Sequence, residues 1–430
     1  MQDREMREEL VQSNHPGPRG PVLWGGILLT LLLLAACGAD GDSDDGGEGT
    51  GEIPAPGESG DDSEEEEPPQ RAYTPDYPAD TWVQQDPEVK DPWEGDTREP
   101  EYRPYAGVAA GDGRVYYWGG GHKTHDGNDI DAYDVRANEW VQLTEEEDWT
   151  DVDDWDHLTN QEKRDIKASN NAGWEVDLLS PRGRPVTKHS YGQMAWWPGQ
   201  GYCLLKQRLW CYDPEKGDQD GAWTDLTPNP FADIDGFNPL ESIAPWNLAY
   251  DPNLFGGTVV SFLGAAGGRV MAYDPEARAW VTVNNRLKDG TYTEVYSAYD
   301  PESGWHIVSA NGQWQMVNTE GESREMAQLR NNGSVVTGSL SMEWAPELGK
   351  VLVMKGIDDE LRMWTYDPET DTWSDFELKG EGPNNAHAKW DTLARDPETG
   401  VYVLLAKEDQ RADDGEIPET WTFWLSGERE

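Results

Sequence analysis

Apolar residues in this chain come in short alternating runs, each cut after a few residues by Gly, Pro, Asn or Asp. Alternation with a period of two predicts half-buried strands, and the cuts predict tight turns. Long apolar stripes at helical spacing are scarce. One run recurs together with its turn: "YDVRANEW" from Tyr133 to Trp140, "YDPEARAW" from Tyr273 to Trp280 and "YDPETDTW" from Tyr366 to Trp373. A longer version, "YDPEKGDQDGAW", spans Tyr212 to Trp223. Asp-Pro starts a turn, because Pro sets φ and the Asp side chain bonds nearby backbone, so each unit predicts a hairpin. The Tyr and Trp at its ends are expected to pack between neighbouring sheets.

A second hairpin alternates with the first. It reads "AWWPGQGYCLL" from Ala195, "AYDPNLFGGTVVSF" from Ala249, "AYDPESGWHIVSA" from Ala298, "EWAPELGKVLVM" from Glu343 and "ARDPETGVYVLL" from Ala394, with "GVAAGDGRVYYWGG" from Gly107 as a looser sixth. Read as strands a and b, followed by the Tyr-to-Trp hairpin as strands c and d, these predict six four-stranded sheets. Repeats of roughly 50 residues with Gly pairs and a late Trp resemble kelch β-propellers, the class that includes the central propeller of galactose oxidase. The resemblance covers about Tyr73 to Gly427 and implies an all-β, six-bladed kelch-like β-propeller. The last blade ends in "TWTFWLSGERE" with no outer hairpin after it, while "YPADTWVQQ" stands alone near the other end, from Tyr77 to Gln85. The segment around Trp82 is therefore expected to supply the outer strand of blade six and close the ring without a bare sheet edge. Blade four is the weakest match, with Asn311-Gly312 marking its inner turn.

Between blades one and two lies a stretch too long for an ordinary connection. Its "LTNQEKRDIKA" from Leu158 contains helix formers, and Thr159 to Glu162 resembles a capping box, so a partly helical insertion is expected over 145–185. It serves as a flap beside a site or as a tolerated surface insertion.

The first 70 residues follow another pattern. Pro21 to Ala36 is uncharged and, at 16 residues, shorter than the roughly 20 that a membrane-crossing helix needs, which predicts a signal-peptide core over 1–36. "LAAC", Leu34 to Cys37, resembles the bacterial lipobox, and this implies acylation of Cys37. Gly38 in place of Asp favours an outer-membrane or surface address. The acids at Asp3, Glu5, Glu8 and Glu9 depart from a cationic leader and put the true start position in question. From Gly38 to Gln70 there are no periodic apolar residues and many like charges, the composition of a disordered acidic tether. The propeller is expected over 71–430, with the membrane met only through the lipid anchor and the molecule a monomer.

Charge and chemistry narrow the function. With 34 basic and 84 acidic residues the formal net charge is −50, which makes nucleic acid and anionic head groups poor partners. In a propeller the a–b and c–d turns share one face and the b–c loops and blade-to-blade connections share the other. The unusual chemistry falls on the second face: "GGGHKTHDGND" from Gly119, "RPVTKHSYG" from Arg184 and "GPNNAHAKWD" from Gly382. His122, His189 and His387 thus enter from separate blades, and with Asn128 and Trp246 they form the candidate ligand-binding set. Three imidazoles suffice for a catalytic ion, and equally suit a sugar or an acidic ligand, so metal and cofactor remain open. His125 is less well placed, and His306 lies in a b strand where packing is expected. "DGNDID", Asp126 to Asp131, has oxygen ligands at loop spacing without a full calcium loop. The galactose oxidase resemblance does not extend to its copper chemistry, which needs a seventh blade, a ligand from a further domain and a crosslinked cysteine. Cys203 and Cys211 are expected to face each other across the b–c turn of blade two and form a disulfide, as an extracytoplasmic compartment allows. Propellers of the kind this chain resembles often present one loop face to a ligand, and no nucleophile–base pair or full metal motif is visible in the sequence. The resemblance therefore implies a tethered binding module for a carbohydrate or protein ligand, and alternatively a secreted glycan-active hydrolase or lyase with a His-lined site.

Overall fold

In each recurring unit the Asp bonds the turn that follows it. Asp134 Oδ1 accepts the N–H groups of Arg136 and Ala137 at 3.1 and 3.0 Å, Asp274 Oδ1 those of Glu276 and Ala277 at 2.9 and 3.0 Å, and Asp367 Oδ1 those of Glu369 and Thr370 at 3.0 and 3.1 Å. Four residues after the Asp the chain turns left-handed, with φ of 54° at Asn138, 52° at Arg278 and 54° at Asp371. That single residue brings the return strand alongside. Tyr and Trp then become cross-strand partners: Tyr133 faces Trp140, Tyr212 faces Trp223, Tyr273 faces Trp280 and Tyr366 faces Trp373. Their ring centroids lie 5.7, 5.4, 5.8 and 4.9 Å apart.

The computed structural model describes residues 73–90, 103, 106–120, 128–145, 184–185, 190, 192–205, 208–226, 247–263, 268–288, 295–310, 312–357, 360–383, 392–406 and 418–427. They build an all-β, six-bladed propeller. Blade one has strands a to d at Ala106–Gly111, Arg114–Gly119, Asp131–Asp134 and Glu139–Gln142. Blade two uses Met194–Trp197, Gly201–Leu205, Leu209–Tyr212 and Trp223–Asp225, and blade three Asn247–Asp251, Thr258–Leu263, Arg269–Asp274 and Ala279–Asn284. Blade four uses Val295–Asp300, Trp305–Ala310, Gln313–Val317 and Ser323–Glu325, and blade five Ser341–Ala345, Lys350–Ile357, Glu360–Asp367 and Thr372–Phe376. Blade six takes Leu393–Arg395, Val401–Ala406 and Glu419–Trp424 from the end of the chain and Val83–Gln84 from its beginning. The a strands touch one another in sequence around the ring, and that of blade six returns to that of blade one.

The apolar core is divided. Six clusters of buried side chains occupy the six seams between adjacent blades, and each draws on both of its neighbours. The Tyr–Trp pairs lie in these seams, so their repetition is a packing requirement: every sheet must cover the next. Blade six assembles a Trp–Phe pair in its place from the two ends of the chain. Val83 pairs with Thr422, which sets Trp82 against Phe423 at 4.8 Å between centroids.

The closing segment does more than the sequence suggests. Its backbone first bonds blade five, with Trp82 N–H to Lys379 O at 2.9 Å and Lys379 N–H to Asp80 O at 2.8 Å. It then forms the outer strand of blade six, and Glu88–Lys90 finally pairs in parallel with the outer strand of blade one. One strap thus crosses three blades. A second unanticipated element is the small hairpin of Arg330–Asn331 with Ser334–Val335 between blades four and five. Blade four lacks the Tyr–Trp pair and joins Val317 to Ser323 in its place, which is why its repeat is faint. The expected helical insertion lies outside the described residues, but its ends meet: Arg184 donates to Glu145 O at 2.9 Å, and both residues bond Asp218.

Candidate functional site

Strand a of each blade starts on the face that carries the b–c loops, and neighbouring starts are pinned together by small polar side chains. Ser190, 2% exposed, donates from Oγ to Trp118 O at 3.1 Å and accepts the Gly107 N–H at 3.2 Å. Ser297 Oγ bonds Asn247 Oδ1 across blades three and four, and Thr392 N–H donates to Ser341 Oγ at 3.1 Å across blades five and six. Each bond ties the first residues of one blade to the blade before it.

These anchors adjoin the sequence candidates. His189 immediately precedes Ser190, Trp246 immediately precedes Asn247, and His387 stands five residues before Thr392. His122 follows Trp118 by four residues. His122, His189, Trp246 and His387 themselves, like Cys37 and His125, lie outside the described residues.

Asn128 is described, and it is wholly buried. Its carbonyl accepts the Trp118 indole N–H at 3.2 Å. It holds the base of the blade-one loop, with its side chain below the surface. Beside it is a cluster that sequence reasoning missed. Arg103, 1% exposed, donates to the carboxylates of Asp129 and Asp131 and to Asp129 O at 3.1 Å. Its guanidinium carbon lies 5.3 Å from the centre of the Tyr117 ring, and the Tyr117 hydroxyl accepts the Arg103 N–H at 2.6 Å. Burial alone would lower the pKa of this guanidinium, but the two aspartates outweigh it and push it above its ordinary value. The cluster carries one positive and two negative charges. In "DGNDID" the charge opposite Asp129 and Asp131 is therefore the Arg103 guanidinium; Asp126 lies outside the described residues. Among the described residues no three His, Cys, Asp or Glu side chains gather as a metal site.

The opposite face has a different character. Its turns close on themselves through Asp251, Asp300 and Asp396, whose carboxylates accept N–H groups two or three residues on. Its one largely exposed big apolar side chain among the described residues is Phe255, 45% exposed. In blade two Cys203 and Cys211 are directly paired across strands b and c and joined by a disulfide, with Cα atoms 4.0 Å apart. Both are buried in the seam with blade three.

No family model matches the chain, and no curated protein matches it. Solved structures with a similar fold include a fungal alcohol oxidase of the AA5 family in complex with copper, at 12% identity and a TM-score of 0.39, over 74% of this chain and 62% of that one. TolB from Acinetobacter baumannii matches at 12% identity and 0.32, over 67% and 62%. An auxiliary nutrient binding protein from Bacteroides thetaiotaomicron VPI-5482 matches at 10% and 0.44, over 79% and 75%. The match spans about three fifths of the first two. At these identities the likeness concerns the fold alone.

Proposed function

We propose that this protein is a tethered, extracytoplasmic binding module that presents the b–c loop face of its propeller to a carbohydrate or protein ligand. The observation that carries the reading is the Ser190 bridge. It holds Ser190, the residue after His189 in sequence, against Gly107 and Trp118 of blade one, and this contact between two blades supports the reading. The buried Arg103 cluster and Asn128 fix the first residues of blade one's strand c and those just before it. His122, His189, Trp246 and His387 supply hydrogen-bonding and stacking groups, a few polar atoms on an apolar frame as ligand sites require. Acylated Cys37 and the acidic tether to Gln70 hold the domain off an outer membrane or cell surface. Membrane fractionation of Cys37→Ser tests that anchor, since release into the soluble fraction is expected.

A glycan-active enzyme using the same histidines is the second reading. The two part on a single preparation. A metal-free protein that binds polysaccharide without shortening it fits the module; stoichiometric metal lost in His122→Ala, together with chain cleavage, fits the enzyme.

A further inference from the structure

The position facing strand a near its end is the same in every blade by register. It holds Val115 opposite Ala110, Tyr202 opposite Trp196, Val259 opposite Tyr250, His306 opposite Tyr299, Val351 opposite Trp344 and Tyr402 opposite Arg395. Five blades place Val or Tyr there. Blade four places a histidine, fully buried, that reaches across the seam to blade three.

The surroundings of His306 are specific. Nε2 lies 3.4 Å from Asp251 Oδ2, and Asp251 is 1% exposed. The same carboxylate accepts the Thr319 hydroxyl at 3.3 Å, while its other oxygen accepts the Asn253 N–H at 2.9 Å. Asn253 in turn donates from its side-chain amide to the Tyr299 hydroxyl at 2.6 Å. The imidazole is enclosed by the rings of Tyr299 at 4.6 Å and Phe262 at 5.2 Å. Asp251 and Tyr299 are thus the titratable groups facing it, one from each blade. Neutral His306 donates from Nε2 to Asp251 and leaves Nδ1 bare; Nδ1 is buried with no hydrogen-bond partner.

We propose that the seam between blades three and four is an acid-sensitive joint, in which a second proton on His306 creates a buried Nδ1–H with no acceptor and loosens the ring at this one place. A buried donor without a partner is costly, and so is a buried charge that its partner meets at only one nitrogen. Burial lowers the histidine pKa and outweighs the opposing pull of Asp251. An opened seam therefore binds the proton better than a closed one. The stability contributed is present above the ordinary histidine value near 6.5 and is lost as pH falls below it. The location matters as well: in a ring of six, this seam is diametrically opposite the seam between blades six and one, which the strap secures. The loosened ring stays closed at its strapped side.

Hydrogen exchange on the full chain at pH 7.5, 6.0 and 5.0 tests the joint. Protection factors in Thr258–Leu263 and Trp305–Ala310 should fall about tenfold per pH unit below about 6.5, the consequence of one linked proton. Those in Gly201–Leu205 and Val401–Ala406, strands of other seams, should hold. His306→Val and His306→Tyr, which copy the other blades, should abolish the local fall. A uniform loss in all seams, no loss at this one, or a fall that persists in either variant would overturn the proposal. The seam comparison within the unaltered protein decides the matter even where a variant folds poorly.

Discussion

Aspartate does two jobs in this molecule, and neighbours decide which. In the turns its Oδ1 accepts N–H groups within three residues of itself, a local arrangement that follows from Asp-Pro spacing and was legible in the sequence. Asp129 and Asp131 instead hold Arg103, more than 25 residues away, and nothing local announces it. The pairing exists only once blade one has closed and water is excluded, so an isolated Arg in "EYRPYAG" carried no signal. Its energetic weight is large because removing one member of a buried ionic cluster leaves the others uncompensated. Arg103→Met should cost about 3–5 kcal/mol in urea unfolding at neutral pH. A loss below about 1 kcal/mol would show that water reaches the aspartates after all.

The hairpin is the element on which the fold is built, and its regularity made the blades readable. Two strands plus a self-bonded turn repeat because each sheet must cover its neighbour, and the large aromatic pair covers most. Where covering is done differently, as in blade four with Val317 opposite Ser323, the pattern fades although the blade remains. The parallel strand Glu88–Lys90 was hidden for a related reason, since three residues held mainly by backbone pairing and one ion pair, Lys90 to Glu139, carry no distinctive pattern. Cys203 and Cys211 lock strands b and c of blade two across a sequence separation of 8. So short a loop removes little entropy from the unfolded chain, about 2–3 kcal/mol at most. Reduction should therefore lower the urea midpoint modestly and leave the circular dichroism of the folded protein unchanged. Loss of folded signal at neutral pH without denaturant would contradict this.

At the scale of the whole molecule, six separate seams replace a single core, and a ring of this kind depends on its closure. The strap supplies a backbone bridge to blade five, an outer strand to blade six and a parallel strand to blade one. A chain beginning at Pro87 loses the first two and bares Glu419–Trp424 as a sheet edge, a template for association. It should melt several degrees lower than a chain beginning at Gln70, or aggregate; equal melting would refute the role of the strap. The face that such a ring presents was legible only in outline. The sequence offered only the expectation that His122, His189 and His387 enter it from separate blades, while Ser190 and Asn247 became visible through contacts between blades and Arg103 through contacts within blade one. The central claim is that this loop face binds ligand. Titration of the purified protein with a panel of neutral and acidic polysaccharides tests it, using His122→Ala and His189→Ala against Phe255→Ser on the opposite face as control. The account predicts that each histidine substitution weakens binding of the polysaccharide that is retained by tenfold or more, about 1.4 kcal/mol, while Phe255→Ser leaves it unchanged. Binding that survives both histidine substitutions and fails with Phe255→Ser would place the site on the other face and contradict the account.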